Sequence, residues 1–173
     1  MECEWLYTPD VFGETPLTRV AKSGHAAIAR VMVMQEINDS HREVPALSPL
    51  HRAAYWGYED AVRDLLADGA DPMEMDDMGE TALHKAARLG NFETVQELLI
   101  NGAEPNIPNS FGFTPLHWAA LTGQEEIAEL LIESGANAHA RDWVTGGLTP
   151  FDFARCLGYR DLAELLERHM AIL

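Results

Sequence analysis

The chain has 173 residues, a 47% apolar fraction and a formal net charge of −16. One domain of this length can bury a real core, and the apolar fraction excludes a wholly disordered chain. The acidity disfavours nucleic acid and anionic membrane as ligands, since both need a basic surface.

Five glycines, Gly24, Gly57, Gly90, Gly123 and Gly158, stand 33, 33, 33 and 35 residues apart. Leu17, Leu50, Leu83, Leu116 and Phe151 keep the same beat. A fixed period near 33 marks one supersecondary unit copied in tandem, each copy too small to bury its apolar face alone. Taken in chain order, an extension (1–8) precedes five copies, about 10–43, 44–75, 76–108, 109–140 and 141–170, within a repeat region spanning 9–170. Residues 171–173 form a tail.

Within a copy, Thr (or Ser48) precedes a helix-compatible run and can cap its amides. Pro16, Pro49, Pro115 and Pro150 occupy the first helical position, where a missing N–H costs nothing. The small pairs Ala53-Ala54, Ala86-Ala87 and Ala119-Ala120 let successive helices approach, and the glycines of the beat end the helix by taking φ > 0. A second helix follows, with Val62, Leu65 and Leu66, then Val95, Leu98 and Leu99, then Ile127, Leu130 and Leu131 at i, i+3, i+4 spacing. Gly-Ala-Asp/Glu-Pro then turns the chain toward the next copy. The end copies differ. The first has Thr18 where others have His, and Glu36-Ile37-Asn38-Asp39 in place of the glycine stop, so Asn38 to Glu43 reads as a polar loop. The fifth has Asp152 at the His position and a hairpin lengthened near Gly146-Gly147. Terminal copies of a stack meet water on one side, which suits both departures.

Gly79-Glu80-Thr81-Ala82-Leu83-His84-Lys85-Ala86-Ala87-Arg88-Leu89-Gly90 aligns with Gly112-Phe113-Thr114-Pro115-Leu116-His117-Trp118-Ala119-Ala120-Leu121-Thr122-Gly123. Asp68-Gly69-Ala70-Asp71-Pro72, Asn101-Gly102-Ala103-Glu104-Pro105 and Ser134-Gly135-Ala136-Asn137 align as well. These motifs resemble the ankyrin repeat, with its Thr-Pro-Leu-His-x-Ala signature. The resemblance covers about residues 9–170. It implies an all-α fold, an ankyrin-repeat solenoid of stacked helix-turn-helix units joined by β-hairpin-like loops.

The resemblance also implies a concave groove lined by the residue after the His position: Arg19, Arg52, Lys85, Trp118 and Phe153. Neighbouring groove positions are Lys22, Tyr55-Trp56, Arg88-Leu89, Leu121-Thr122 and Cys156-Leu157. The hairpin tips add Val11-Phe12, Asp77-Met78, Phe111, Phe113 and Trp143-Val144. Interface cores are enriched in aromatics, which bury much area on few rotors. The expected partner-binding set is therefore Arg19, Arg52, Tyr55, Trp56, Met78, Lys85, Arg88, Leu89, Phe111, Phe113, Trp118, Leu121, Trp143 and Phe153. Trp56, Trp118 and Phe111 are expected to face the groove and meet apolar anchors of the partner, while its acidic groups are expected to meet Arg19, Arg52, Lys85 and Arg88. Phe151, in the core leucine position, is expected inside, and Phe113 has an alternative reading as packing between repeats. Alanine at Trp118 is expected to weaken binding by roughly 2 kcal/mol and leave folding intact.

No catalytic, cofactor or metal-binding residue is expected. His51, His84 and His117 occur once per copy with no converging ligands, so a zinc site does not follow; in the family this histidine bonds neighbouring turns. Nothing places a base beside Cys156, and no phosphate-cradling loop occurs. Leu98 to Asn106 resembles the pattern that asparaginyl hydroxylases modify in ankyrin repeats. Trp5-Leu6-Tyr7 reads either as a docking motif or as packing over the first copy, and Met170 to Leu173 has the same two readings.

The expected function is a non-catalytic protein–protein interaction module, an adaptor, scaffold or inhibitor acting by occupancy and monomeric on its own. Its partner is a protein or peptide, with no nucleic acid and no membrane. No run of about 18 apolar residues occurs, and the short acidic start is no secretory signal. Cys3 and Cys156 lie at opposite ends and fit reduced thiols, hence the cytoplasm or nucleus. The alternative is an acidic binder of a basic protein or tail through the outer-helix acids (Glu59, Asp60, Asp64, Asp68, Glu93, Glu97, Glu125, Glu126, Glu129, Glu133, Glu164, Glu167) and the hairpin acids Glu74, Asp76, Asp77 and Glu80.

Overall fold

The computed structural model describes residues 47–171. The expectations for Gly24, Pro16, Thr18, Arg19, Lys22, Cys3, Trp5-Leu6-Tyr7, Val11-Phe12, the Asn38 to Glu43 loop and Ile172-Leu173 fall outside the described residues.

Eight helices form four helix pairs among the described residues, and no strand occurs there. They are α1 (Pro49–Trp56), α2 (Glu59–Ala67), α3 (Ala82–Leu89), α4 (Phe92–Ile100), α5 (Pro115–Thr122), α6 (Glu125–Glu133), α7 (Pro150–Leu157) and α8 (Arg160–Met170). Odd-numbered helices pack on one another more extensively than even-numbered ones do. They form the inner layer, and the even-numbered helices form the outer layer. The Ala-Ala pairs make this approach possible: Ala53, Ala54, Ala86, Ala87, Ala119 and Ala120 are all buried.

Helix starts and stops follow from the sequence. Pro49, Pro115 and Pro150 stand in the first turn, and each inner helix ends on a glycine in the left-handed region, as at Gly90 with φ 80°. The residue after the next glycine-helix junction then packs over that stop. Asn91 lies against Gly57 and donates from Nδ2 to the carbonyls of Ala54 (2.9 Å) and Tyr55 (3.1 Å). These are carbonyls that a helix end leaves without an intrahelical partner.

The histidines tie one repeat to the next. His84 Nδ1 accepts from the Thr81 backbone N–H at 3.1 Å, so the ring proton sits on Nε2, which donates to the Phe113 carbonyl at 3.0 Å. His117 does the same with Thr114 N–H (3.1 Å) and the Leu148 carbonyl (3.3 Å), and His51 Nε2 reaches the Glu80 carbonyl at 2.8 Å. In the last pair Asp152 accepts from Thr149 N–H at 3.0 Å and Thr149 O–H at 2.8 Å. It caps its own helix but brings no donor for a further repeat.

The hairpin-like loops close without strands. Asp76 N–H donates to the Glu80 carbonyl (2.9 Å) and Asn109 N–H to the Phe113 carbonyl (2.8 Å). Neighbouring tips are linked, Ser110 N–H to the Met78 carbonyl and Trp143 N–H to the Phe111 carbonyl, both at 2.9 Å. One core expectation is corrected. Phe151 is half-buried with the Arg155 guanidinium 5.4 Å from its ring centroid. Its counterparts Leu50, Leu83 and Leu116 are fully inside because another helix pair covers each of them.

Candidate partner surface

Past the exposed Arg52, the column after the histidine does not line an open groove: Lys85, Trp118 and Phe153 are buried between repeats. Lys85 and Trp118 each meet there the residue that precedes the capping Thr. In the second described repeat these residues are Lys85 and Glu80. Both are buried, and Lys85 Nζ pairs with Asp76 (2.8 Å) and Glu80. Asn109 Nδ2 donates to Glu80 Oε1 at 3.1 Å from the next repeat. Burial works against ionisation of the Glu80 carboxyl, but the Lys85 and Arg88 charges outweigh it and hold the group at about 2. An ion pair inside a protein needs such neighbours to offset desolvation.

One repeat later the same two positions carry Phe113 and Trp118, both buried, with centroids 5.2 Å apart in an edge-on arrangement. Phe153 packs edge-on to Phe113 at 5.2 Å, and His117 stacks on Phe113 at 5.3 Å. Burial, the largest influence on His117, pushes it down to about 4, and burial likewise lowers His84. These imidazoles are neutral structural bonds.

Several expected contact residues are therefore interior. Trp118 is 1% exposed, and Phe113, Leu121 and Phe153 are equally covered. Lys85 is held by its own hairpin carboxylates. Arg88 is buried with its guanidinium 5.4 Å from the Trp118 ring and 5.9 Å from the Tyr55 ring. The physical reason is common to all: inner helices packed through paired alanines leave the neighbouring column within reach of the adjacent repeat, so large side chains there fill the gap. Glu80 and the Asp76 carboxylate, taken as acidic contacts in the alternative reading, are interior for the same reason.

What remains on the surface is narrower. Arg52 is exposed, Trp56 is 51% exposed and edge-on to half-buried Tyr55 at 5.0 Å, and Leu89, the register mate of Trp56, is 36% exposed. Along the tips, Met78 and Phe111 are half-buried and Trp143 is 67% exposed. Trp143 lies over Gly112, where an added Cβ would meet the indole at 2.7 Å. The inner-helix ends and the tips thus present a row of apolar side chains, with Arg52 at the α1 end.

The outer helices carry the acids. Asp60, Asp64, Asp68, Glu93, Glu125, Glu126, Glu129, Glu133, Glu164 and Glu167 are exposed, while Glu59 and Glu97 are half-buried around Arg63. The Cys156 thiol is half-buried, and burial pushes its pKa up. Among the described residues no group of three His, Cys, Asp or Glu side chains could hold a metal ion, and no helix is long and apolar enough to cross a membrane.

A family profile described as Ankyrin repeats (3 copies) matches residues 2–76 and 70–142. The chain belongs to the ankyrin-repeat family. No curated protein matches it. Ankyrin repeats are in general protein–protein interaction modules and typically non-catalytic. The described ankyrin stack continues past the matched residues through α7 and α8.

The sequence reading missed the Asp76–Lys85–Glu80–Asn109 network. Its signal was a paired exchange between ankyrin copies: Glu80 with Lys85 in one, Phe113 with Trp118 in the next. Two positions that change together from ionic to aromatic are in contact.

Proposed function

We propose that this ankyrin chain is a non-catalytic binding module, an adaptor, scaffold or inhibitor, whose polypeptide partner lies across the inner-helix ends and hairpin tips. The carrying observation is the exposure of Trp56 and Leu89 at one register position on successive inner helices, together with an exposed Trp143 at a hairpin tip. Folding does not require these side chains in water, and aromatic anchors of this kind dominate interface energies. The contact set is Arg52, Tyr55, Trp56, Met78, Leu89, Phe111 and Trp143, with Arg19 as a further member. Action is by occupancy in the cytoplasm or nucleus, with no nucleic-acid ligand.

The test is comparative capture from native extract with the wild-type chain and a Trp56→Ala/Leu89→Ala/Trp143→Ala variant, followed by direct titration of the captured protein. Affinity should fall at least roughly tenfold with the fold unchanged. Equal affinity for both chains would remove this surface from the account. A complex that instead weakens steeply with salt, and ignores the three substitutions, would favour the outer glutamates and a basic partner.

A further inference from the structure

The residue before each capping Thr or Ser and the residue after each His position form a pair in every described repeat. The pairs are Leu47 with Arg52, Glu80 with Lys85, Phe113 with Trp118, and Leu148 with Phe153. Three are chemically matched: one ionic, one aromatic and one apolar. The first is not. The leucine side chain offers a guanidinium no charge and no acceptor, so Leu47 does not hold Arg52 inward as Glu80 holds Lys85.

Its surroundings agree. Arg52 is exposed and makes no ion pair among the described residues, whereas Arg63 pairs with Glu59, Asp60 and Glu97, and Arg155 with Asp152. The register counterpart of Asp76 is Glu43, outside the described residues. Arg160, also exposed, opens outer helix α8 beside the exposed Asp161. Arg52 stands instead one helical turn from exposed Trp56, on the same face of α1. In a chain of net charge −16, an exposed cation with no ion pair among the described residues, one turn from an exposed indole, is a local exception on the surface.

We propose that Arg52 selects a carboxylate: the polypeptide lying on Trp56 and Leu89 carries an Asp or Glu side chain against the Arg52 guanidinium. This rests on the surface assigned under Proposed function. Guanidinium and carboxylate match as a two-pronged hydrogen-bonded pair, which gives orientation as well as attraction. Successive inner helices lie roughly 10 Å apart, a span that extended chain covers in about three residues. The acid therefore stands about three residues from an apolar side chain over Leu89. A uniformly basic partner would set like charge against Arg52 and is disfavoured at this end.

The probe is a random peptide library displayed on phage, selected in parallel on the full wild-type chain, on Arg52→Glu and on Trp56→Ala. Both positions are exposed, and circular dichroism checks that the variants keep the fold. Wild type should select peptides with Asp or Glu about three residues from an apolar side chain. A synthetic copy of a selected peptide should lose roughly tenfold in affinity when its acid becomes Gln, or when the protein carries Arg52→Ala. Arg52→Glu should select Lys or Arg at that place. Selected peptides without acid enrichment, or unaffected by Arg52→Ala, would overturn the carboxylate assignment and leave the apolar surface standing. Peptides that bind wild type and Trp56→Ala equally would overturn both.

Discussion

Lowering the pH should loosen this stack through the inter-repeat histidine bonds, and His117 gives the magnitude. Its ordinary value is 6.5, and burial brings it to about 4 in the folded chain despite the hydrogen bond to the Leu148 carbonyl. Between those values the unfolded chain binds the proton and the folded chain does not, so stability falls as pH drops and levels off below about 4. From about pH 7 to about pH 5 the difference amounts to about 2 kcal/mol for this one group. For a domain of this size that lowers Tm by roughly 6 °C. His84 is shifted the same way and adds to the fall. The assay is thermal unfolding by circular dichroism across this window for wild type and His117→Gln, whose amide does not titrate. The variant should be less stable at neutral pH and should lose about 2 kcal/mol less on acidification. Parallel pH curves for the two proteins would refute the reasoning, because they would mean that the His117 proton is not excluded by folding.

Removing one member of the buried ion network should be costly. Lys85→Met leaves the Glu80 carboxylate buried without its ammonium, a change worth about 3–5 kcal/mol in urea unfolding, while adding Glu80→Gln should restore much of it. Trp118→Ala should cost about 3–5 kcal/mol by emptying the space beside Phe113 and Arg88; an unchanged unfolding midpoint would contradict its burial.

The repeat unit and its length are legible along the chain. The glycine beat, the proline starts, the alanine pairs and the capping Thr–His spacing are local demands of helix ends and close packing, so they can be read along one chain. They placed every described helix pair and assigned His51, His84 and His117 to structure. Which large side chains are covered depends on how the repeats pack. Lys85, Arg88, Phe113, Trp118, Leu121 and Phe153 have the composition of an interface, and only the position of the next repeat shows that they are filling a gap between helices. The same is true of the Glu80–Lys85 pair, whose members are five residues apart but whose satisfaction depends on Asn109 a repeat away. Arg52 differs from Lys85 in that Leu47 stands where Lys85 has Glu80, whereas nothing near Trp56 in the chain foretells its exposure, because burial is a property of the surface left when the described repeats have packed.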